Sequence, residues 1–261
     1  MTALARPLHQ RTQGSAQVEL AQGRPRRLFT GGSAKAILLA GAVPEVVFLN
    51  TAGGLTGGDR LAYSLTTDCD TLATTQTAER AYRAAEGRAE MAITLTARAG
   101  RLDWLPQETI LFDRSHLHRR TRIDLGATAT CLTVEAVVLG RAAMGEVVRD
   151  LTLDDRREIT RAGRPVMVEP LRLNPGALHG PATLAGARAF ASLVLIAPGA
   201  QDALGPVRAA LGMEGVQGAA SGMEGRLMVR LMAADGWPLR RQIARILSVL
   251  RPGGLPRVWQ L

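Results

Sequence analysis

Cysteine, lysine, aromatic residues and long apolar runs are all scarce in this 261-residue chain. Its two cysteines, Cys69 and Cys131, lie too far apart for a CxxC motif and cannot staple a domain of this size, so a reducing compartment is expected. The apolar run at 129–139 falls short of the roughly 18 residues that a membrane span needs. Around Arg6, His9 and Arg11 there is no apolar stretch of a signal peptide, so a cytoplasmic protein is expected. Aromatics make up 3% of the chain, which leaves few stacking platforms for bases. Lys35 is the only lysine, so nearly all of the 32 basic residues are arginine.

The net charge of +9 would suit nucleic acid, an acidic partner or an anionic surface. The arginines are spread along the chain, with short clusters at 24–27 and 119–122, and no RNA-binding or helix-turn-helix signature accompanies them. An arginine-rich nucleic-acid binder therefore stands as the alternative reading, and a solvated basic face as the plainer one.

A composition of 46% hydrophobic and 21% charged residues is that of a globular chain, and no linker or repeat divides it. We expect one domain over 1–261. From residue 18 to about 173, short apolar or alternating segments are separated by Gly, Pro, Asn and Asp, as in a chain of many strands. In the segment 90–97, Met91, Ile93, Leu95 and Ala97 share one face, and Glu90, Thr94 and Thr96 the other, which predicts a half-buried strand. Helices are expected late. Asp202 is placed to cap a short helix carrying Leu204, Val207 and Leu211, with Gly212 as its stop. The Gly-rich stretch 212–225 reads as a mobile loop and 227–232 as a strand. Leu239, Ile243, Ile246, Leu247 and Leu250 form the apolar stripe of a last helix, ended by Pro252, Gly253 and Gly254.

Several residues could carry chemistry. NTAGGLTGGDRL, residues 50–61, has two glycine pairs before Asp59; it is either a tight turn or a backbone cradle for an anion, and it lacks the Lys-Ser/Thr ending of a phosphate loop. Glu135 interrupts the apolar run 131–139, and Glu169 shares strand parity with Met167, Leu171 and Leu173. A buried carboxylate needs an arginine, amides, a metal or a water-filled cavity, and a structural ion pair would account for either glutamate. His116 and His118 face one way on a strand and are weak nickel or zinc candidates, opposed by Arg120 and Arg122 beside them. His9 and His179 are isolated, and no nucleophile or zinc-hydrolase motif is present.

Taken together, the segments NTAGGLTGGDRL, TTQTAERAYR (74–83), WLPQETILFD (104–113), VEAVVLGRAAMGE (134–146) and LPRVW (255–259), in that order and spacing, resemble the UreD (UreH) family of urease accessory proteins. Thr51-Ala52 stands where other members commonly have Pro-Pro. The resemblance implies a mainly β, β-helix-like stack of short strands with two or three helices, mostly C-terminal. It also implies a non-enzymatic scaffold that binds apo-urease and UreF, with UreG held through UreF. Nickel would be cargo in transit through an internal path, with no permanently bound cofactor, no nucleic-acid partner and no membrane. Asp59, Glu135 and Glu169 are then candidate path-lining acids. The tail residues Leu255, Pro256, Arg257 and Trp259 are candidates for partner binding, or for folding back on the β core. A phosphate-binding enzyme using the Gly-rich loop is a further alternative.

Overall fold

The computed structural model describes residues 11–251 and 253–259; His9 and Pro252 lie outside them. The chain is built mainly of strands in two sheets. The seven-stranded sheet contains β1 (Gln13–Ala21), β2 (Arg24–Gly32), β5 (Arg60–Thr67), β8 (Ala89–Ala97), β11 (Ser115–Leu125), β13 (Leu151–Arg161) and β14 (Arg164–Leu173). Their spatial order is β14-β13-β11-β8-β5-β1-β2. The second sheet contains β3 (Ala34–Leu39), β4 (Glu45–Asn50), β6 (Thr71–Thr75), β9 (Arg101–Leu105), β12 (Thr130–Leu139), β15 (Ala189–Ile196), β16 (Val216–Met223) and β17 (Arg226–Ala233). They run in the order β16-β17-β15-β12-β9-β6-β4-β3, with the short β7 (Glu79–Ala81) and β10 (Thr109–Leu111) paired beside β12.

From β4 to β13 the chain steps from one sheet to the other, so that β5, β8, β11 and β13 are parallel neighbours in the first, and β4, β6, β9 and β12 in the second. This is the coiled, β-helix-like stacking expected. Period-two alternation sets the faces. Met91, Ile93, Leu95 and Ala97 of β8 point inward with Leu61, Tyr63 and Leu65 of β5 and Leu117, Ile123 and Leu125 of β11. The outer face of the seven-stranded sheet stays in contact with solvent.

The second sheet is covered on both faces. Cys131, Val137 and Leu139 of β12 pack between the sheets. Leu132, Val134 and Ala136 pack outward on α2 (Gly236–Leu250), whose Leu239, Ile243, Ile246, Leu247 and Leu250 are buried as the apolar stripe predicts. Burial of both faces is why β12 reads as an almost unbroken apolar run. Asp235 caps α2 through the Gly236 amide.

Two local expectations are corrected, and an open one is decided. The short helix α1 (Leu204–Ala210) has Ala203 at its cap with no side-chain bond, because Asp202 lies inside the preceding 3-10 turn. The stretch 212–225 is not a loop: β16 occupies most of it, since Gly, Ala and Ser there let α1 and the turn before it pack against the strand, with Gly222 against Gln201 and Gly218 against Leu211. The C-terminal tail folds back on the chain. Trp259 is buried, its indole N–H donating to the Leu105 carbonyl at 2.9 Å and its ring lying under Arg240. Pro256 is also buried and Leu255 half-buried, so only Arg257 of the four tail candidates is exposed. A Trp that satisfies its own N–H inside the fold is an anchor for its own core.

No helix among the described residues is long and apolar enough to cross a membrane.

Candidate interior polar site

Between the two sheets, the apolar packing is interrupted by a row of charges that strand register brings together. In the seven-stranded sheet, Arg119 of β11 is the cross-strand neighbour of Asp155 of β13, and Arg157 of β13 is that of Glu169 of β14. Facing them, Glu135 of β12 is opposite Ser192 of β15, which is opposite Arg230 of β17. All seven line one cavity of about 310 Å³, with Val137, Leu171, Phe190, Leu231 and Met232 among its other walls, and it reaches the surface at the exposed Arg230.

The bonds within it are unequal. Arg119 grips Asp155 with two donors, Nε at 3.0 Å and Nη2 at 2.6 Å, and gives Nη1 to Thr109 at 2.9 Å. The same Nη2 reaches Glu135 Oε2 at 2.9 Å, so Glu135 shares a donor that Asp155 already holds. Its only other partner among the described residues is the Thr121 hydroxyl, at a long 3.5 Å. Burial therefore dominates and pushes the Glu135 carboxyl above the usual carboxylate range, against the attraction of Arg119 and with repulsion from Asp155. Glu169 is the opposite case. Burial pushes it up too, but the Arg157 guanidinium, bonds from Arg157 and Ser192, and Arg230 at 3.2 Å together hold it below that range. Arg157 also donates to Thr133 at 3.3 Å, while its Nε has no partner among the described residues.

A second polar pocket lies at the other side of Arg119. Glu79 of β7 is the cross-strand neighbour of Thr109, which accepts from Arg119. The Glu79 carboxylate takes a bond from the Asn50 amide at 3.1 Å, beside a small cavity of about 30 Å³ lined by Tyr63, Thr75 and Gln76. Burial raises its pKa to about 7, only partly offset by Asn50 and by the charges of Arg80 and Arg119. Thus two under-compensated carboxyls, Glu79 and Glu135, flank one buried guanidinium.

Of the candidate acids, Glu135 and Glu169 come together here and Asp59 does not. Asp59 is buried at the end of the Gly-rich turn, where its two oxygens accept the Thr12 and Thr56 amides, each at 2.8 Å. The glycines before it serve close packing: a Cβ on Gly57 would sit 2.1 Å from the Glu86 carbonyl oxygen, and one on Gly54 would sit 2.5 Å from the Tyr82 ring. The tight-turn reading of that segment is the one realised.

His116 and His118 lie on the outer face of β11 with Arg120, Arg122 and Asp124. Desolvation, then the charges of Arg120 and Arg88, lower the His118 pKa, and no group of three or more metal-ligating side chains forms among the described residues.

Arg119, Asp155, Arg157 and Glu79 escaped sequence reasoning. In HRRTR and DDRRE, inward and outward charges alternate inside runs that look uniformly polar. Strict parity with Leu117, Ile123, Leu153 and Ile159 was the available signal.

Comparison with known proteins places the chain among urease accessory proteins. The family model described as UreD urease accessory protein matches residues 8–260. A urease accessory protein UreD of Cereibacter sphaeroides is 58% identical over 274 aligned positions, covering all of both chains. That of Paracoccus denitrificans is 53% identical over 97% of this chain and 93% of its own. That of Jannaschia is 48% identical over the full length of both.

Proposed function

The chain belongs to the UreD family of urease accessory proteins, and from that membership we propose that it is a scaffold that binds apo-urease and UreF, holds UreG through UreF, and assists delivery of nickel to the urease active site. A chaperone-type role in urease maturation follows from the family itself. On this reading the chain is not an enzyme, acts in the cytoplasm, binds no permanent cofactor, and meets nickel only as cargo.

The observation that carries the nickel reading is the interior cavity with Glu135 on its wall. A hydrated divalent cation crosses a protein interior when oxygen donors replace part of its hydration shell without closing a full cage around it. Glu135 supplies such a donor, because its negative charge is only partly neutralised by the shared Arg119. Glu169 lines the same wall but is held by Arg157, Ser192 and Arg230, and serves as the more firmly fixed end of the row. Asp59 is left out of the path, since backbone amides take its oxygens and it lines no part of this cavity.

A second reading is favoured by the two-donor Arg119–Asp155 pair: the cluster is a structural ion network that fixes the register of the two sheets. The arginine-rich nucleic-acid reading is not favoured. The test of the proposal is reconstitution: apo-urease, UreF, UreG and nickel are combined with and without this chain, and nickel per urease active site is measured. Loading should depend on the chain, and equal loading in its absence would contradict the proposal.

A further inference from the structure

The seven-stranded sheet ends in a strand that no other element covers among the described residues. Of the nine residues of β2, only Gly31 is even half-buried, and Leu28 and Phe29 are 53% and 43% exposed. β2 pairs with β1 alone, so its outer row of backbone N–H and C=O groups has no partner strand among the described residues.

The other three sheet edges are blunted. β14 carries Pro165 and Pro170, and β3 carries Lys35. β16 is packed by α1, and Arg208 donates to its Ala220 carbonyl at 3.1 and 3.3 Å. Prolines, charges and covering elements are the usual protections of a free edge. β2 has Pro25 and its three arginines within its first four residues, and from Leu28 to Gly32 an open backbone carries two large apolar side chains with neither charge nor proline.

Charge decides what fits there. Arg24, Arg26 and Arg27 form no ion pair among the described residues, and neither does the exposed Lys35 of the next strand; the one acid opposite them, Glu19 across from Arg27, is drawn to Arg98 at 3.6 Å. Each copy carries the three arginines and a net charge of +9, so two copies brought together through β2 would repel. A polyanion would satisfy the arginines but not the alternating backbone donors and acceptors of the edge. A strand satisfies both when it carries acidic side chains.

We propose that the outer edge of β2, residues 26–30, is a docking edge for an acidic extended segment of a partner protein, which adds as an eighth strand of the sheet. Leu28 and Phe29 supply apolar contacts on its two faces, and the arginines supply orientation. The proposal rests on the scaffold reading above, which requires protein partners.

The test uses the full chain with purified UreF and purified apo-urease, each alone, with backbone hydrogen exchange read over β2 and affinity read at low and high salt. With one of the two, exchange across residues 26–30 should slow by about tenfold or more, as for amides entering a ladder. The triple variant Arg24→Glu, Arg26→Glu, Arg27→Glu should weaken that complex about tenfold and leave the other unchanged, with its thermal unfolding as in wild type. Phe29→Ser, which keeps the charges, should weaken the same complex. Complexes that form with both partners while β2 exchange stays fast would overturn the proposal. So would β2 protection that rises with chain concentration alone, or that appears with RNA or anionic lipid vesicles and with neither protein. If wild type binds neither protein, the scaffold reading itself fails, and the docking edge with it.

Discussion

Replacing Glu135 by Gln removes a negative charge that the folded chain neutralises poorly, while leaving a side chain of nearly the same shape. Arg119 keeps both bonds to Asp155 and its bond to Thr109, so no buried cation is stranded. The change should therefore alter stability by no more than about 1 kcal/mol near neutral pH, the scale of one modest hydrogen bond. Asp155→Asn is the contrasting case. It takes away the doubly bonded counter-charge of a buried guanidinium, and should cost about 3–5 kcal/mol. The sign with pH is also set. Burial holds the Glu135 carboxyl above its ordinary range, so in that window the folded chain binds more protons than the unfolded one, and wild-type stability falls as pH rises through it. Glu135→Gln should thus gain on wild type as pH rises. Chemical denaturation of wild type and the two variants across pH measures all of this. If Glu135→Gln is destabilised as much as Asp155→Asn, Glu135 is a structural counter-charge, and the reasoning is refuted.

Glu79→Gln should follow the same sign: a shift from 4.5 to about 7 makes the variant more stable than wild type by about 3 kcal/mol at alkaline pH, and equal to it at acid pH, in the same denaturation series. An alkaline difference near zero would mean that Glu79 is better paired than its Asn50 bond indicates. Trp259→Ala should cost about 3–5 kcal/mol by thermal or chemical unfolding, and a chain ending at Arg251 should aggregate, because the tail fills its own core. A soluble, fully folded truncated chain would contradict that packing. Gly57→Ala should destabilise by about 2 kcal/mol or more, since its Cβ meets backbone at 2.1 Å; a neutral result would show that the turn relaxes freely.

Much of the fold could be read in advance where one face is buried and the other wet. β8 and α2 show the clean periods of two and 3.6 that such burial imposes. β12 was legible as buried because an acid in an apolar run stands out, and the same contrast exposed Glu135. The partners of Glu135 were not legible. Arg119, Asp155 and Arg157 sit in runs of charge where alternation between core and solvent changes the side-chain environment but not its polarity. β16 was hidden for the reverse reason: glycine and alanine allow helix α1 and the turn before it to approach the strand, and their small size erases the alternation. Asp59 stands out in the sequence as the acid that follows the glycine pairs, but only the three-dimensional structure shows that it is buried and that amides from Thr12 and Thr56 already take both of its oxygens.

The nickel content of urease activated with Glu135→Gln in place of the wild-type chain tests the central claim most directly, provided that both chains are first matched for capture of UreF and apo-urease. A carboxylate that helps the cation through the interior predicts less nickel per urease active site with the variant, at equal partner capture and equal thermal stability. Equal nickel loading would contradict a transit role for the cavity and leave the cluster of Arg119, Glu135, Asp155, Arg157 and Glu169 as a structural ion network.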